Sequence, residues 1–462
     1  MSVIEQHPDE VLGHPRHLAA QPVLAGLIQQ LRDCANVKDG YEFQQDLLGH
    51  LDAADTDRAG FSQAVKRMRS GKSPQAGAPD PQSGLDPARL ETWELERDVC
   101  ERLARQFKCV GDALAWRVFG FQRKHIIALC QNQSPGAFTG KAGRATELAH
   151  VEQAYHEDGK FALLHDLTNC LRIDDLTVFG NDGTFETIEV KTDPTRSRST
   201  QHRRAKAAAA AVTSNGPLPG PDPNARLYDI DVPYKSHLDI LRRGTEHAAR
   251  DGIYITKLPG NRVLLVTDIY GYSAADRDRE DWSEMIDRRL ADTRRRAGIG
   301  NDTQWHVAAT SRDSVSYDPA RVPFAAYPLH PAACARIIGD YARFQVHTSG
   351  PALADSLRRA GLAASWALPP AHQYTEMRPG QVVMEITVHA PMTKNLAGLL
   401  RPGVTAELTR TLQMRRRELD TYLIELFDQT AWIEGIRHLI NDNQLGDGQP
   451  WPHYRDEEKT WA

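Results

Sequence analysis

The chain has 462 residues, of which 25% are charged, and its formal net charge is −5 at pH 7. A chain of this length exceeds one ordinary hydrophobic core, so about two to four domains are expected. No stretch approaches the roughly 20 apolar residues that cross a bilayer, and the N-terminus lacks the apolar core of a secretion signal, which favours a cytoplasmic protein without a membrane partner. The negative charge counts against a general nucleic-acid coat, but not against an enzyme with a locally basic cleft.

Six cysteines are scattered along the chain without any CxxC pair. This spacing argues against a structural zinc site and against a disulfide framework, so free and mostly buried thiols are expected. The six residues are Cys34, Cys100, Cys109, Cys130, Cys170 and Cys334.

The first part of the chain has the pattern of helices. Apolar residues recur at helical spacing within residues 1–69, and residues 70–87 are rich in Pro, Gly and Ser, which is typical of a flexible linker at a domain boundary. Two more helices are predicted between Ala88 and Cys130, and residues 88–139 are expected to form a helical brace for the next domain. Their large apolar side chains, expected to pack rather than to catalyse, are Trp93, Leu103, Phe107, Leu114 and Trp116.

A glycine-rich run, residues 134–143, follows these helices. It has some likeness to a phosphate-binding loop, but that motif needs Gly at position 135 and Ser or Thr at position 142, where this chain has Pro135 and Ala142. An NTPase is therefore rejected. The run is predicted as the loop before a helix that carries Glu147.

Residues 171–194 are the most informative segment. Two strand-like runs flank Asn181-Asp182-Gly183, and these residue types tolerate the backbone of a tight turn, so a β-hairpin is predicted. Because side chains alternate along a strand, Glu189 and Lys191 share one face of the second run. Asp175, on the first run, can then lie beside them.

These residues suit metal-dependent hydrolysis of a phosphodiester. The carboxylates of Asp175 and Glu189, with the backbone carbonyl of Val190, form a set of hard oxygen ligands of the kind that Mg²⁺ or Mn²⁺ prefers. A bound divalent ion lowers the pKa of its water, and the ammonium of Lys191 can orient that water and offset charge on the transition state.

Asp175, the Glu189-Val190-Lys191 triplet and the apolar strands around them resemble the PD-(D/E)xK, or restriction-endonuclease-like, nuclease superfamily. The resemblance covers roughly residues 140 to 270. It implies an α/β fold with a mixed central sheet flanked by helices, and a third carboxylate from an upstream helix, for which Glu147 is the candidate metal ligand. The proline of the motif's name is absent, and Asp174 is the reserve choice for the first acid.

A basic, alanine-rich run follows the triplet, and residues 200–212 are predicted to be helical because alanine is the best helix former. In the superfamily the corresponding helix often lies near the substrate phosphates. The resemblance therefore makes Gln201, Arg203 and Arg204 candidates for contacts with nucleic acid. The alternative is a solvated basic face, which is what charge runs usually form.

A helix near residues 233–250 and a second hairpin complete the predicted nuclease core of residues 140–275, with Val263–Val266 as a buried strand of the same sheet. Apolar residues toward the C-terminus must be covered by the fold or by a second subunit, so a homo-oligomer is one expectation. Residues 276–462 are predicted as an α+β accessory domain, with strands near 304–310 and 380–390 and helices near 331–344 and 404–442.

We therefore expect a metal-dependent nuclease that acts on nucleic acid, with DNA as the first choice, and uses Mg²⁺ or Mn²⁺ without a nucleotide cofactor. The resemblance also suggests bacterial restriction or anti-phage defence. The alternatives are a nuclease fold that only binds nucleic acid or assembles with a partner, and an ordinary solvated hairpin, where Glu-x-Lys is common. His165-Asp166 could supply a base or a metal ligand, but a hydrogen-bonded structural role is preferred for His165.

Overall fold

The chain divides into two compact units in the computed structural model. The first unit consists of Met1–Pro223, Ser311–Tyr341 and Trp461–Ala462, and the second of Asn224–Thr310 and Ala342–Thr460. No described helix is long and apolar enough to cross a membrane. The structure describes residues 8–74, 77–130, 143–180, 184–190, 200–214, 218, 228–233, 235–274, 279–300, 305–310, 321–367, 381–391, 407–441 and 452–455.

Helices form the N-terminal part of the first unit, as predicted. The five side chains predicted to pack between them are all buried, and α3 packs along α4. None of the six cysteines, all of which are described, forms a disulfide, and four of them are buried. The helices are α1 (Pro8–Leu12), α2 (Pro15–Asp33), α3 (Val37–Arg69), α4 (Leu90–Val118) and α5 (Arg123–Cys130).

The segment predicted as a flexible linker, residues 70–87, does not separate two domains, because the helices on both sides belong to the first unit. The backbone N–H groups of Gln82 and Ser83 donate to the carboxylate of Glu96 on α4. Its Pro and Gly content therefore marks irregular backbone that is held against the helices by hydrogen bonds.

A small antiparallel sheet completes this part of the first unit, and one helix precedes it and another follows it in the chain. Its strand order is β1-β2-β3, with Leu164 opposite Leu176 and Leu176 opposite Ile188. The predicted hairpin and the helices before and after it are confirmed. The elements are α6 (Arg144–His156), β1 (Phe161–Leu164), β2 (Leu176–Phe179), β3 (Phe185–Ile188) and α7 (Thr200–Ser214).

The second unit contains an antiparallel sheet of order β5-β6-β8-β7, a second of order β11-β10-β9, and the parallel pair β12-β4. The mixed α/β character expected from the sequence is confirmed. The elements in chain order are β4 (Tyr228–Pro233), α8 (Leu238–Asp251), β5 (Ile253–Leu258), β6 (Arg262–Asp268), α9 (Ile269–Ala274), α10 (Arg279–Arg296), β7 (Trp305–Ala309), α11 (Pro331–Ile338, in the first unit), β8 (Ala342–Ser349), α12 (Gly350–Arg359), β9 (Ala363–Trp366), β10 (Val382–Pro391), β11 (Glu407–Arg415), α13 (Arg416–Ile424), α14 (Gln429–Asn441) and β12 (Pro452–Arg455).

One prediction about this region is wrong. Val263–Val266 is a buried strand, β6, but it does not share the sheet of the β2–β3 hairpin, because its two edges are occupied by β5 and β8. The predicted core of residues 140–275 is accordingly divided between the two units at residue 223.

The helix predicted over residues 404–442 begins only at Arg416, because residues 407–415 form strand β11. Leu408 and Leu412 are four residues apart, which places two side chains on one face of a helix and equally on one face of a strand. Further along, Leu419, Leu423 and Phe427 are buried within the chain itself. The fold therefore covers the part of this apolar face that runs from Leu419 to Phe427.

Candidate functional site

The ladder between β2 and β3 ends at the pair Leu176 and Ile188, and the two predicted metal-binding acids are the next residues outward. Asp175 donates its backbone N–H to the carbonyl of Ile188 at 3.0 Å. Its carboxylate Oδ2 accepts a hydrogen bond from the backbone N–H of Val190 at 2.9 Å. Asp175 thus lies against the Glu189-Val190 peptide, and both acid side chains are half-buried.

Asp174, the reserve candidate, has a backbone conformation that sets the start of β2. Its φ is 60°, in the left-handed region that side chains other than glycine rarely adopt. Its carbonyl accepts a hydrogen bond from Nδ1 of His165 at 3.1 Å, and the backbone N–H of His165 donates to the carbonyl of Asp175 at 3.0 Å. His165 therefore holds the Asp174-Asp175 pair through both carbonyls.

The ring of His165 is buried and neutral. Burial lowers the pKa of His165 to about 4. Because Nδ1 donates to a carbonyl, Nε2 of the neutral ring accepts from the hydroxyl of Thr177, which lies at 2.7 Å. The structural role preferred for His165 is confirmed.

A buried carboxylate on α4 holds the loop that leads into β2. Asp112 accepts hydrogen bonds from the backbone N–H groups of Asn169 and Cys170 at 2.6 and 2.9 Å, and from the side-chain amide of Asn169 at 2.9 Å. Burial raises the pKa of Asp112 to about 6, although these hydrogen bonds favour the charged form. One turn earlier, burial lowers the pKa of Lys108, and the charge of Asp166 opposes that shift.

The same helix approaches this loop closely at Gly111. A Cβ at Gly111 would lie 2.0 Å from the carbonyl oxygen of Leu167, so a larger residue would push the helix and the loop apart. Together with Asp112 and His165, this contact fixes the backbone that carries Asp175.

Glu147 lies in the first turn of α6, on the same buried face as Val151 and Ala154. That helix packs against β1. Within the described ranges, no group of three or more His, Cys, Asp or Glu side chains is placed to hold a metal ion. The structure thus brings Asp175 to the Glu189-Val190 peptide, but it does not add Glu147 to them as a third ligand.

The basic helix after the hairpin is α7. Ala205 and Ala208 lie on its buried face, Arg203 is exposed and Arg204 is half-buried. The side chain of Gln201 and the whole of Lys191 lie outside the described residues, as do the turn residues 181–183 and the glycine-rich run up to residue 142. The roles predicted for them stay predictions.

The donor set at the end of the hairpin fits Mg²⁺ or Mn²⁺. These ions are held by one or two carboxylates and keep several waters, and Asp175 and Glu189 supply two carboxylates beside the peptide of Val190. The N–H of Val190 on Oδ2 of Asp175 would orient that carboxylate, as hydrogen bonds behind a metal ligand do.

Asp112 and Lys108 were not predicted from the sequence, because they belong to no recognisable motif. The only signal in the sequence is that Lys108 and Asp112, which are four residues and so about one helical turn apart, interrupt an otherwise apolar helical run that continues to Trp116. A charge at such a position is rarely buried without a partner, so it predicts a buried hydrogen bond, although it does not identify the partner.

No family model, curated protein or solved structure matches this chain.

Proposed function

We propose that the protein is a metal-dependent nuclease of the PD-(D/E)xK type, which hydrolyses phosphodiester bonds of DNA at the end of the β2–β3 hairpin. The observation that carries the proposal is the hydrogen bond from the N–H of Val190 to the carboxylate of Asp175. It joins an acid from one strand to the peptide that follows Glu189 on the next. The helix before the sheet, with Glu147, and the basic helix after it add support from the resemblance.

Each residue of this site has a separate task. Asp175 and Glu189 hold the divalent ion, which supplies a water of lowered pKa and withdraws charge from the phosphate when it is bound. Lys191 orients the attacking water and offsets charge on the phosphate oxygens in the transition state. Gln201, Arg203 and Arg204 contact the phosphate backbone of the DNA. Restriction or anti-phage defence is the biological setting that the resemblance suggests for such an enzyme.

The second candidate function is a nuclease fold that binds nucleic acid, or assembles with a partner, without cleaving. A group of three metal-binding side chains is absent from the described part of the chain. Since Mg²⁺ needs only one or two protein carboxylates, cleavage itself must decide between the two functions.

A cleavage assay on the full chain separates the two functions. Single-stranded DNA, double-stranded DNA and RNA are incubated with Mg²⁺, Mn²⁺ or EDTA. Cleavage should need the metal, and Asp175→Asn or Glu189→Gln should reduce its rate by more than about 100-fold. Glu186→Gln is the matched control, since Glu186 is exposed on β3 of the same hairpin. Undiminished cleavage by both acid variants would disprove the site, and DNA binding without cleavage in any metal would support the second function.

A further inference from the structure

The buried guanidinium of Arg262, in the second unit, has a fork of two terminal nitrogens for which the described residues offer no hydrogen-bond partner. Arg262 opens strand β6 and is 0% exposed. Its Nε donates to the carbonyl of Pro259 at 2.9 Å. Its terminal nitrogens Nη1 and Nη2 have no hydrogen-bond partner in the part of the chain that the structure describes. Because a buried charge is costly unless it is paired, these two nitrogens are suited to an anionic ligand.

A second buried donor lies beside it. The guanidinium carbon of Arg262 is 5.0 Å from the ring centre of Tyr422, on α13. Tyr422 is 1% exposed, and its hydroxyl too has no hydrogen-bond partner among the described residues. The ring of Trp432 stacks on Tyr422 with 4.4 Å between centres, which holds the tyrosine in place.

His237 and Asp428 form the more exposed side of this cluster. Nε2 of His237 lies 3.3 Å from Oδ2 of Asp428, and the two side chains are 19% and 25% exposed. Burial lowers the pKa of His237, and the charge of Arg262 lowers it further while Asp428 opposes the shift.

The carboxylate of Asp428 is engaged elsewhere. Its Oδ1 accepts the backbone N–H groups of Thr430 and Ala431, each at 3.0 Å, and so caps the start of α14. Its Oδ2 lies against His237. Neither oxygen hydrogen-bonds the fork of Arg262.

We propose that Arg262 and Tyr422 form a binding site for a small oxyanion, a carboxylate or a phosphate group, which enters past His237 and Asp428. The planar guanidinium matches an oxyanion through two parallel N–H bonds, and the tyrosine hydroxyl adds a third donor. The aromatic ring against the guanidinium keeps water from one of its faces. None of these residues takes part in the proposed cleavage, so the site is independent of the proposed function.

The test measures anion binding to the full chain by calorimetry and by thermal unfolding. Sodium phosphate and sodium acetate are compared with NaCl at equal ionic strength. At least one of the two oxyanions should raise the Tm more than NaCl does, and the anion that does so identifies the class of ligand. Arg262→Met should abolish the difference, and Tyr422→Phe should weaken anion binding by about tenfold, the effect of one charge-assisted hydrogen bond. Arg243→Met is the matched control, because Arg243 is an exposed arginine of α8 paired with Asp239.

Equal Tm shifts with all three salts in the wild type, or an oxyanion-specific shift that survives in Arg262→Met, would overturn the proposal. If Arg262→Met fails to fold, Arg262→Lys takes its place, since it keeps the charge and loses the two parallel N–H donors. The oxyanion-specific Tm shift should then be lost in Arg262→Lys and weakened in Tyr422→Phe. A third measurement follows the ring of His237 by NMR. A bound anion offsets the charge of Arg262, so the pKa of His237 should rise with added oxyanion, and a pKa that stays unchanged at the highest concentration contradicts the site.

Discussion

Two pairs of buried polar residues, one pair in each unit, differ in their hydrogen bonding. In the first unit, Asp112 and His165 are buried and hydrogen-bonded, and both hold the loop before β2. In the second, Arg262 and Tyr422 are equally buried, but their terminal polar atoms have no hydrogen-bond partner in the described ranges. A buried group that is paired inside the protein fixes its shape, whereas an unpaired one is available to a ligand. For these four residues, hydrogen bonding distinguishes the pair that positions the loop before β2 from the pair proposed to bind an anion.

The proposed function places cleavage in the first unit, and the largest effect is expected there, at Lys191. Lys191→Ala should lower the single-turnover rate by about 10²- to 10⁴-fold, the usual effect of losing a group that transfers or orients a proton. Its affinity for metal and for DNA should change little, because the lysine acts on the water and the transition state. Lys206→Ala, on an exposed position of α7, is the control. Loss of metal binding with an unchanged rate would contradict this role.

The raised pKa of Asp112 should make the unfolding free energy of the protein depend on pH. Its pKa is about 6 in the folded protein, whereas that of an unfolded Asp is about 3.9, so the folded state binds the proton more tightly. The stabilisation from this proton is full below about pH 4 and is lost as the pH rises through 6, a change on the order of 3 kcal/mol.

Chemical denaturation between about pH 4 and pH 7 measures this change as the difference in unfolding free energy between wild type and Asp112→Asn. The neutral His165 has the opposite dependence, since burial lowers its pKa to about 4, but it is present in both proteins and cancels. Asp33→Asn, at an exposed position of α2, should run parallel to the wild type. Parallel curves for Asp112→Asn as well would show that the carboxylate keeps its ordinary pKa.

A smaller loss of stability is expected at the close approach of α4 to the same loop. Gly111→Ala places a methyl group 2.0 Å from the carbonyl oxygen of Leu167, which should cost about 1–3 kcal/mol of unfolding free energy. Gly49→Ala is the matched control, because nothing lies within 4 Å of its Cβ in α3, and alanine should stabilise that helix by up to about 1 kcal/mol. An equal Tm for the two variants would show that the close approach of Gly111 to Leu167 does not hold the loop in place.

The smallest effect concerns the basic helix α7. Replacing Arg203 and Arg204 together by Ala should reduce the slope of log affinity for DNA against log salt by about one to two units, since each phosphate contact contributes about 0.9. The double Ala variant of Arg242 and Arg243, both exposed on α8, removes the same charge from the second unit and should leave the slope unchanged. The opposite result would place DNA on the second unit, where residues 287–296 are also basic.

Local sequence patterns predicted the elements around the site, because their causes are local. The turn residues Asn181-Asp182-Gly183 predicted the hairpin, and the alanine run predicted α7, whose bounds are Thr200–Ser214. The second predicted hairpin is confirmed as the antiparallel pair β5–β6. The pairing of β6 with β8 could not be predicted from its apolar run, because assignment to a sheet depends on which distant strand offers a free edge. The strand β11 was missed since a spacing of four residues serves helices and strands alike.

For the candidate site, the sequence predicted that Asp175 would come close to the Glu189-Val190 peptide. It could not predict the groups that hold this arrangement, because Asp112 is 57 and 58 residues away in sequence from its partners Asn169 and Cys170. Nor could it predict the left-handed backbone of Asp174, which follows from the hydrogen bonds around it.

The return of residues 311–341 to the first unit sets the order in which the chain can fold during synthesis. The buried ion pair of Arg102 with Asp340, and the hydrogen bond between His17 and Tyr341, join the N-terminal helices to this late segment. Strands β5, β6 and β7 of the second unit leave the ribosome before it does. The N-terminal helices must therefore wait, with polar groups still without their final partners, until most of the other unit's central sheet has been made.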